Sequence, residues 1–96
     1  MWARVSRLMG SREQIDDLLR NVRETVIPAL KQMAGFQGAY FLVDRSSGAS
    51  MSVTLWESED ALQASEEAAN KLRGDAAQAA AAGTPVVERY EVAERT

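Results

Sequence analysis

The sequence predicts an α+β domain whose four strands and two helices follow in the order βαββαβ. Three observations carry that prediction. Gly35 to Glu57 reads as two strands folded back on each other over a short turn. A long amphipathic helix precedes them, and strand-like alternation stands near each end of the chain.

Trp2 to Leu8 alternates, with Ala3 and Val5 on one face and Trp2, Arg4 and Ser6 on the other. Met9 and Gly10 end it. Ser11 followed by Gln14 has the spacing of a capping box, in which each side chain satisfies a free backbone N–H of the first helical turn. The helix that follows carries Ile15, Leu18, Leu19, Val22, Val26, Leu30 and Met33 at spacings of three and four, so one stripe faces a core. Pro28 lacks an N–H and crowds the preceding turn, which predicts a kink or short break near Val26–Ile27. Gly35 closes the helix.

Phe36 to Asp44 is rich in aromatic and β-branched residues, Arg45 to Gly48 supplies turn chemistry, and Ala49 to Glu57 shows the clearest alternation in the chain. A short loop sets Phe41 opposite Ser52 and Ala39 opposite Thr54. Leu42, Tyr40, Met51, Val53 and Leu55 then form one face, expected beneath the helices. Gln37, Ala39, Phe41, Val43, Ser52, Thr54 and Trp56 form the other. Ser58 caps the next helix, with Glu59 and Asp60 in its first turn. The apolar stripe of this helix is thin (Ala61, Leu62, Ala68, Ala69, Leu72), Gly74 is expected to interrupt it, and an alanine-rich turn runs on to Ala82. Gly83-Thr84-Pro85 leads into the last strand, Val86 to Val92.

Two helices with one stripe each cover a single face of a four-stranded antiparallel sheet, the ferredoxin-like arrangement of two split βαβ units. The second face, expected to carry Trp56, Phe41, Ala39 and Tyr90 or Val87, is too apolar to stay wet. A second copy of the chain is the expected cover, and a homodimer the expected state.

Ninety-six residues make one domain, 1–96. A net charge of −3 argues against nucleic-acid and anionic-membrane partners, despite the local grouping of Arg4, Arg7 and Arg12. There are no cysteines and no histidines, which removes thiolate chemistry, the usual zinc ligands and the commonest general base, so neither a metal nor a cofactor is expected. No apolar run approaches the ~18 residues of a membrane helix, and the start of the chain lacks a signal pattern. The expected location is the cytoplasm.

The lead-in Gly35-Phe-Gln-Gly-Ala-Tyr40 and the run Thr54-Leu-Trp-Glu-Ser-Glu-Asp-Ala-Leu62 resemble the antibiotic-biosynthesis-monooxygenase type of dimeric α/β barrel, over nearly the whole chain. The resemblance implies two ferredoxin-like sheets closing into a barrel across a dimer. It also implies a cofactor-independent monooxygenase acting on, or binding, a small aromatic or polyketide-like molecule in a cavity. Haem-degrading relatives use a histidine on the second helix and an asparagine on the first strand. This chain has no histidine, and Ala3, Arg4 and Val5 stand on that strand, so haem degradation is disfavoured. Quinone-forming relatives place a tryptophan and an asparagine on one strand; Trp56 matches the first, and Ser52 stands in place of the second.

The candidate substrate-binding residues are Trp56, Thr54, Ser52, Phe41 and Tyr90. Trp56 either holds a flat aromatic molecule, its indole N–H orienting a carbonyl oxygen, or fills the core or the dimer seam. Ser52 and Thr54 either line a cavity or pair across strands. Tyr40 and Tyr90 either donate to an oxyanion or sit buried with a satisfied hydroxyl. Arg4 and Arg89 either reach inward to an anionic substrate or are solvated strand residues. The acidic residues Glu57, Glu59, Asp60, Glu66 and Glu67 read as helix surface. No catalytic residue can be named. The second functional reading is a non-catalytic dimeric ligand-binding or stress-related barrel, favoured by the missing acid–base pair.

Overall fold

In the computed structural model, which describes residues 1–96, β1 (Trp2–Met9) is a central strand. It pairs antiparallel with β3 (Ala49–Trp56) on one side and β4 (Val86–Glu91) on the other, and β2 (Phe36–Val43) pairs outside β3. The order β2-β3-β1-β4 and the helical crossovers between β1 and β2 and between β3 and β4 make the ferredoxin-like fold, as expected.

The first helical segment begins with a single tight turn, Arg12–Gln14, and runs through α1 (Ile15–Asn21), a π-helical stretch Val22–Val26, and α2 (Ile27–Lys31). The capping box does not form: Ser11 Oγ hydrogen-bonds to Glu13 Oε2 at 2.6 Å, and no side chain caps the first turn. Pro28 does not break the helix. The helix widens ahead of it, so that Ile27 N–H bonds to Val22 O, five residues back. A π-helical turn absorbs the missing proline donor while the apolar stripe continues through Leu30.

Gly35 ends this segment at φ +80°, a conformation that only glycine adopts readily. The hairpin then has the expected register, Phe41 opposite Ser52 and Ala39 opposite Thr54, with a bulge that leaves Gln37 as the extra, exposed residue. Asp44 closes the turn by accepting Ser46 N–H on Oδ1 at 2.9 Å. Ser58 caps α3 (Glu59–Ala64), its hydroxyl accepting Ala61 N–H at 3.1 Å. The interruption expected at Gly74 lies instead at Ser65, and α4 (Glu66–Ala79) runs through the glycine. Gly74 is exposed, where a helical glycine costs only about 1 kcal/mol relative to alanine.

The faces of the sheet are reversed from expectation. Trp2, Arg4, Ser6 and Leu8 share a face with Ser50, Ser52, Thr54 and Trp56, and that face lies beneath the helices. Leu18, Val22, Ala76 and Ala80 form one buried cluster over it, and Val26, Leu30, Trp56 and Leu62 form another. The aliphatic row Val5, Met51, Val53 and Leu55, with Tyr40 and Leu42, faces away from the helices. Two physical facts explain the reversal. Right-handed crossovers choose the helical side regardless of which side is more apolar. The helical side also carries small and polar residues because it encloses a cavity rather than a solid core. On the helix-free face Tyr40, Leu42, Val86, Tyr90 and Met9 are exposed.

Candidate functional site

The two central strands supply a polar floor. Arg4 stands opposite Thr54, and Ser6 opposite Ser52, all four pointing toward the helices. Short side chains in the middle of a sheet leave space above them. Leu18, Val22 and Val26 from the first helical segment and Ala69, Leu72 and Ala76 from α4 roof that space, and Phe41 closes one side. The result is a cavity of about 70 Å³.

Of the residues singled out in the sequence, Ser52, Thr54 and Phe41 line this cavity. Trp56 is fully buried beside it, packed among Val26, Leu30 and Leu62, with the Phe36 ring edge-on at 5.6 Å. Its indole N–H donates to Thr54 Oγ1 at 3.0 Å, so that donor is already engaged, and of the pair only Thr54 lines the cavity. Tyr90 lies on the helix-free face opposite Ala3, half exposed, its hydroxyl donating to Glu88 Oε2 at 2.8 Å. Tyr40 is also on that face and exposed, so neither tyrosine is buried.

Arg4 is the residue whose inward placement gives the site its charge. It is 2% exposed and crosses from β1 to the α3–α4 junction. There Nη2 donates to Leu62 O and to Ser65 Oγ, both at 2.8 Å, and lies 3.1 Å from Glu66 Oε1. Its guanidinium carbon sits 5.4 Å from the Trp56 ring centroid, within cation–π range. Nε is buried without a hydrogen-bond partner.

Glu66, at the start of α4, joins this arginine to the outer strand. Arg89 on β4 forks onto the same carboxylate, Nε to Oε1 and Nη2 to Oε2 at 2.8 Å. Hydrogen bonding from Arg89, with the charge and hydrogen bond of Arg4, holds the Glu66 carboxyl down at about 2 in spite of its partial burial. Burial pushes the Arg4 guanidinium down, and Glu66 opposes the shift. Arg73 on α4 also lines the cavity and is likewise lowered by burial, with Arg4 adding to the effect.

Arg4, Arg7 and Arg12 therefore do not form a patch: Arg4 points inward, while Arg7 and Arg12 are exposed. The strand's own alternation was the signal for Arg4, since it shares the parity of Trp2 and Ser6. Glu66, read as helix surface, instead neutralises a buried charge, and nothing in its local sequence marks that role. Every titratable side chain on the cavity wall is an arginine, and no cluster of three or more acids suited to a metal ion occurs.

No family model matches the chain. An uncharacterized Mycobacterium tuberculosis protein, Rv2557, is 38% identical over 97% of the chain. The chain spans only 41% of that relative's length. A monooxygenase from the gene ActVA-Orf6 of Streptomyces coelicolor, solved in complex with Nanaomycin D, superimposes with a TM-score of 0.80 at 16% identity, covering 99% of this chain and 89% of that one. The haem degrader MhuD of Mycobacterium tuberculosis gives 0.74 at 20% identity, covering 100% and 99%. A dimeric ferredoxin-like protein from an uncultured marine organism gives 0.74 at 13% identity, covering 99% and 90%. No helix is long and apolar enough to cross a membrane. The chain has the ferredoxin-like fold of the antibiotic biosynthesis monooxygenases.

Proposed function

We propose that this domain binds a small, flat, largely apolar aromatic molecule between its sheet and helices, and oxidises it with dioxygen without metal or cofactor. The observation that carries the reading is the polar floor of Arg4, Ser6, Ser52 and Thr54 under an aliphatic roof. Side chains at the centre of a sheet beneath helices ordinarily fill the core; here they leave room and present donors, as a ligand site requires. The fold likeness to the Streptomyces coelicolor monooxygenase supports the oxygenase part of the proposal.

The substrate would supply its own electrons. A methylene carbon activated by a neighbouring aromatic ketone loses two hydrogens and gains one oxygen atom as a carbonyl, and the second oxygen atom leaves as water. The protein's part is to hold the ring against Phe41 and the helix stripe, with the substrate oxygen toward the arginine side of the cavity. Keeping that oxygen ionised favours electron release to dioxygen.

One observation favours a second reading, a domain that binds such a molecule without transforming it. The titratable groups on the cavity wall are arginines, which remain protonated and cannot act as a base. Oxygen consumption with single-ring quinols and single-ring aryl ketones bearing an activated methylene separates the two, with isotopically labelled dioxygen to trace one atom into the product. Uptake above that of a Ser52→Leu variant, which fills the cavity, supports catalysis. Binding without uptake leaves the ligand-binding reading.

The helix-free sheet face completes the proposal. Tyr40, Leu42, Val86 and Tyr90 are at least half exposed there, alongside Val5, Met51 and Val53. A second copy packed face to face would cover this surface and form a homodimer.

A further inference from the structure

The polar side of the cavity is charged as well as polar. Arg4 and Arg73 both line the cavity, and Arg73 feels the charges of Arg4, Arg89 and the single carboxylate Glu66; three cations against one anion leave a surplus of two positive charges. Arg89 spends its charge on Glu66 at the outer strand. Arg73 makes a long hydrogen bond of 3.4 Å to Asn70 Oδ1 and has no carboxylate partner among the ion pairs of the molecule. Arg4, although 98% buried, directs all its protein hydrogen bonds through Nη2 and leaves buried Nε–H without an acceptor. A donor on a charged, desolvated group is rarely left empty in a folded protein, because water satisfied it before folding.

Size adds a second restriction. A cavity of about 70 Å³ is smaller than the ~150 Å³ of an apolar cavity that takes up one benzene ring, so a single ring is the largest aromatic group it favours. Phe41, Leu18 and Val22 supply apolar wall for such a ring, and Arg4 lines the same cavity.

We infer that the cavity takes a single-ring aromatic anion whose ionised oxygen accepts the free Nε–H of Arg4, with Arg73 supplying the second positive charge. The inference rests on the cavity being the ligand site, as proposed above, and adds the charge and size of the ligand. A carboxylate and an ionised phenol present the same acceptor to Arg4, so both chemistries belong to the class.

The test is a titration of the intact chain at about pH 8, where both acids are ionised, with benzoate and para-nitrophenolate, against their neutral counterparts benzamide and nitrobenzene, followed in the proton–nitrogen correlation spectrum of the arginine Nε groups. The anions are expected to bind about tenfold or more tighter than the neutral rings, the ratio that one charge-assisted hydrogen bond provides. They should shift one Nε–H resonance that is absent from Arg4→Lys. That variant keeps a cation for Glu66 and so keeps the fold, but lacks Nε; it should retain nitrobenzene while its preference for anions falls to the several-fold that Arg73 supplies. Arg73→Gln, on the outer helix, should lower anion affinity several-fold with the fold intact. Binding by benzoate alone assigns a carboxylic acid, and by para-nitrophenolate alone an ionised phenol. Equal binding of anions and neutral rings, or an Arg4 resonance that does not move, overturns the inference and leaves the cavity reading standing. No binding by any of the four rings overturns both.

Discussion

Glu66 places Oε1 3.1 Å from Arg4 Nη2, an ion pair whose cation is 2% exposed and whose carboxylate is 28% exposed. The two ends of that pair are not equivalent, because Glu66 has a second cation in Arg89 and Arg4 has no second anion.

Removing either partner should therefore have unequal effects. Glu66→Ala strands a buried guanidinium, and breaking a buried pair in this way costs about 3–5 kcal/mol. Arg4→Met removes the buried charge and leaves Glu66 on Arg89, while Ser65 Oγ continues to donate to Leu62 O at 2.7 Å. Its expected cost is about 1–2 kcal/mol, the scale of the hydrogen bonds lost. Urea midpoints of the two variants decide the order. Equal losses would mean that the buried guanidinium does not depend on Glu66 for its neutralisation.

The same carboxylate sets an acid limit. Its folded value of about 2 lies below the ordinary 4.5, so the native state stabilises the ionised form. That contribution is fully present above pH 4.5 and is lost progressively as pH falls toward about 2. Wild-type stability should decline through this window. Glu66→Gln, weaker throughout because Arg4 loses its counter-charge, should show a flatter decline over the same pH range. Parallel profiles from denaturant titrations at stepped pH would remove Glu66 as the source.

The Trp56–Thr54 hydrogen bond makes a third prediction. Thr54→Val keeps the volume and removes the acceptor, leaving the Trp56 indole N–H buried and unpaired. The expected loss is about 1–3 kcal/mol. In a Trp56→Phe background, where no donor exists, the same substitution should be close to neutral. A double-mutant cycle measures the difference, and an additive cycle would show that the bond contributes nothing.

Local pattern made the topology legible: the alternation of β1, the hairpin register at Phe41–Ser52, and the cap at Ser58 all appear in the structure where the sequence places them. What local pattern lacks is the side of the sheet that the helices take. Alternation sorts Val53 from Thr54 but does not say which of them faces a helix, and counting apolar residues favours the wrong one. Crossover handedness fixes the side. The site followed the same error. Ser52, Thr54 and Phe41 were recognisable as one face, yet Arg4 was visible as their neighbour only once β1 had been paired with β3. Glu66 lies 62 residues beyond Arg4, and their pairing depends on how α4 crosses the sheet. Pro28 was visible as an exception, but the π-helical solution was not, because both a kink and a widened turn accommodate a missing N–H.

The helix-free face makes the last prediction. Four strands spaced ~4.8 Å apart and about eight residues long at ~3.3 Å present roughly 500 Å² in projection. That is a large part of the ~800 Å² per partner typical of a stable interface. Val53 stands on the β3 row between Val5 of β1 and Tyr40 of β2, with exposed Leu42 and Tyr90 on the same face. A charge at that position would be buried without a partner in any face-to-face dimer. Wild type is expected to sediment as a dimer, and Val53→Arg as a monomer with an unchanged far-ultraviolet circular dichroism spectrum. Leu42→Lys, nearer the edge, should weaken the dimer by a smaller factor, because its long side chain can carry the charge out to solvent. A wild-type monomer, or a Val53→Arg chain that still dimerises, would place the partner surface elsewhere.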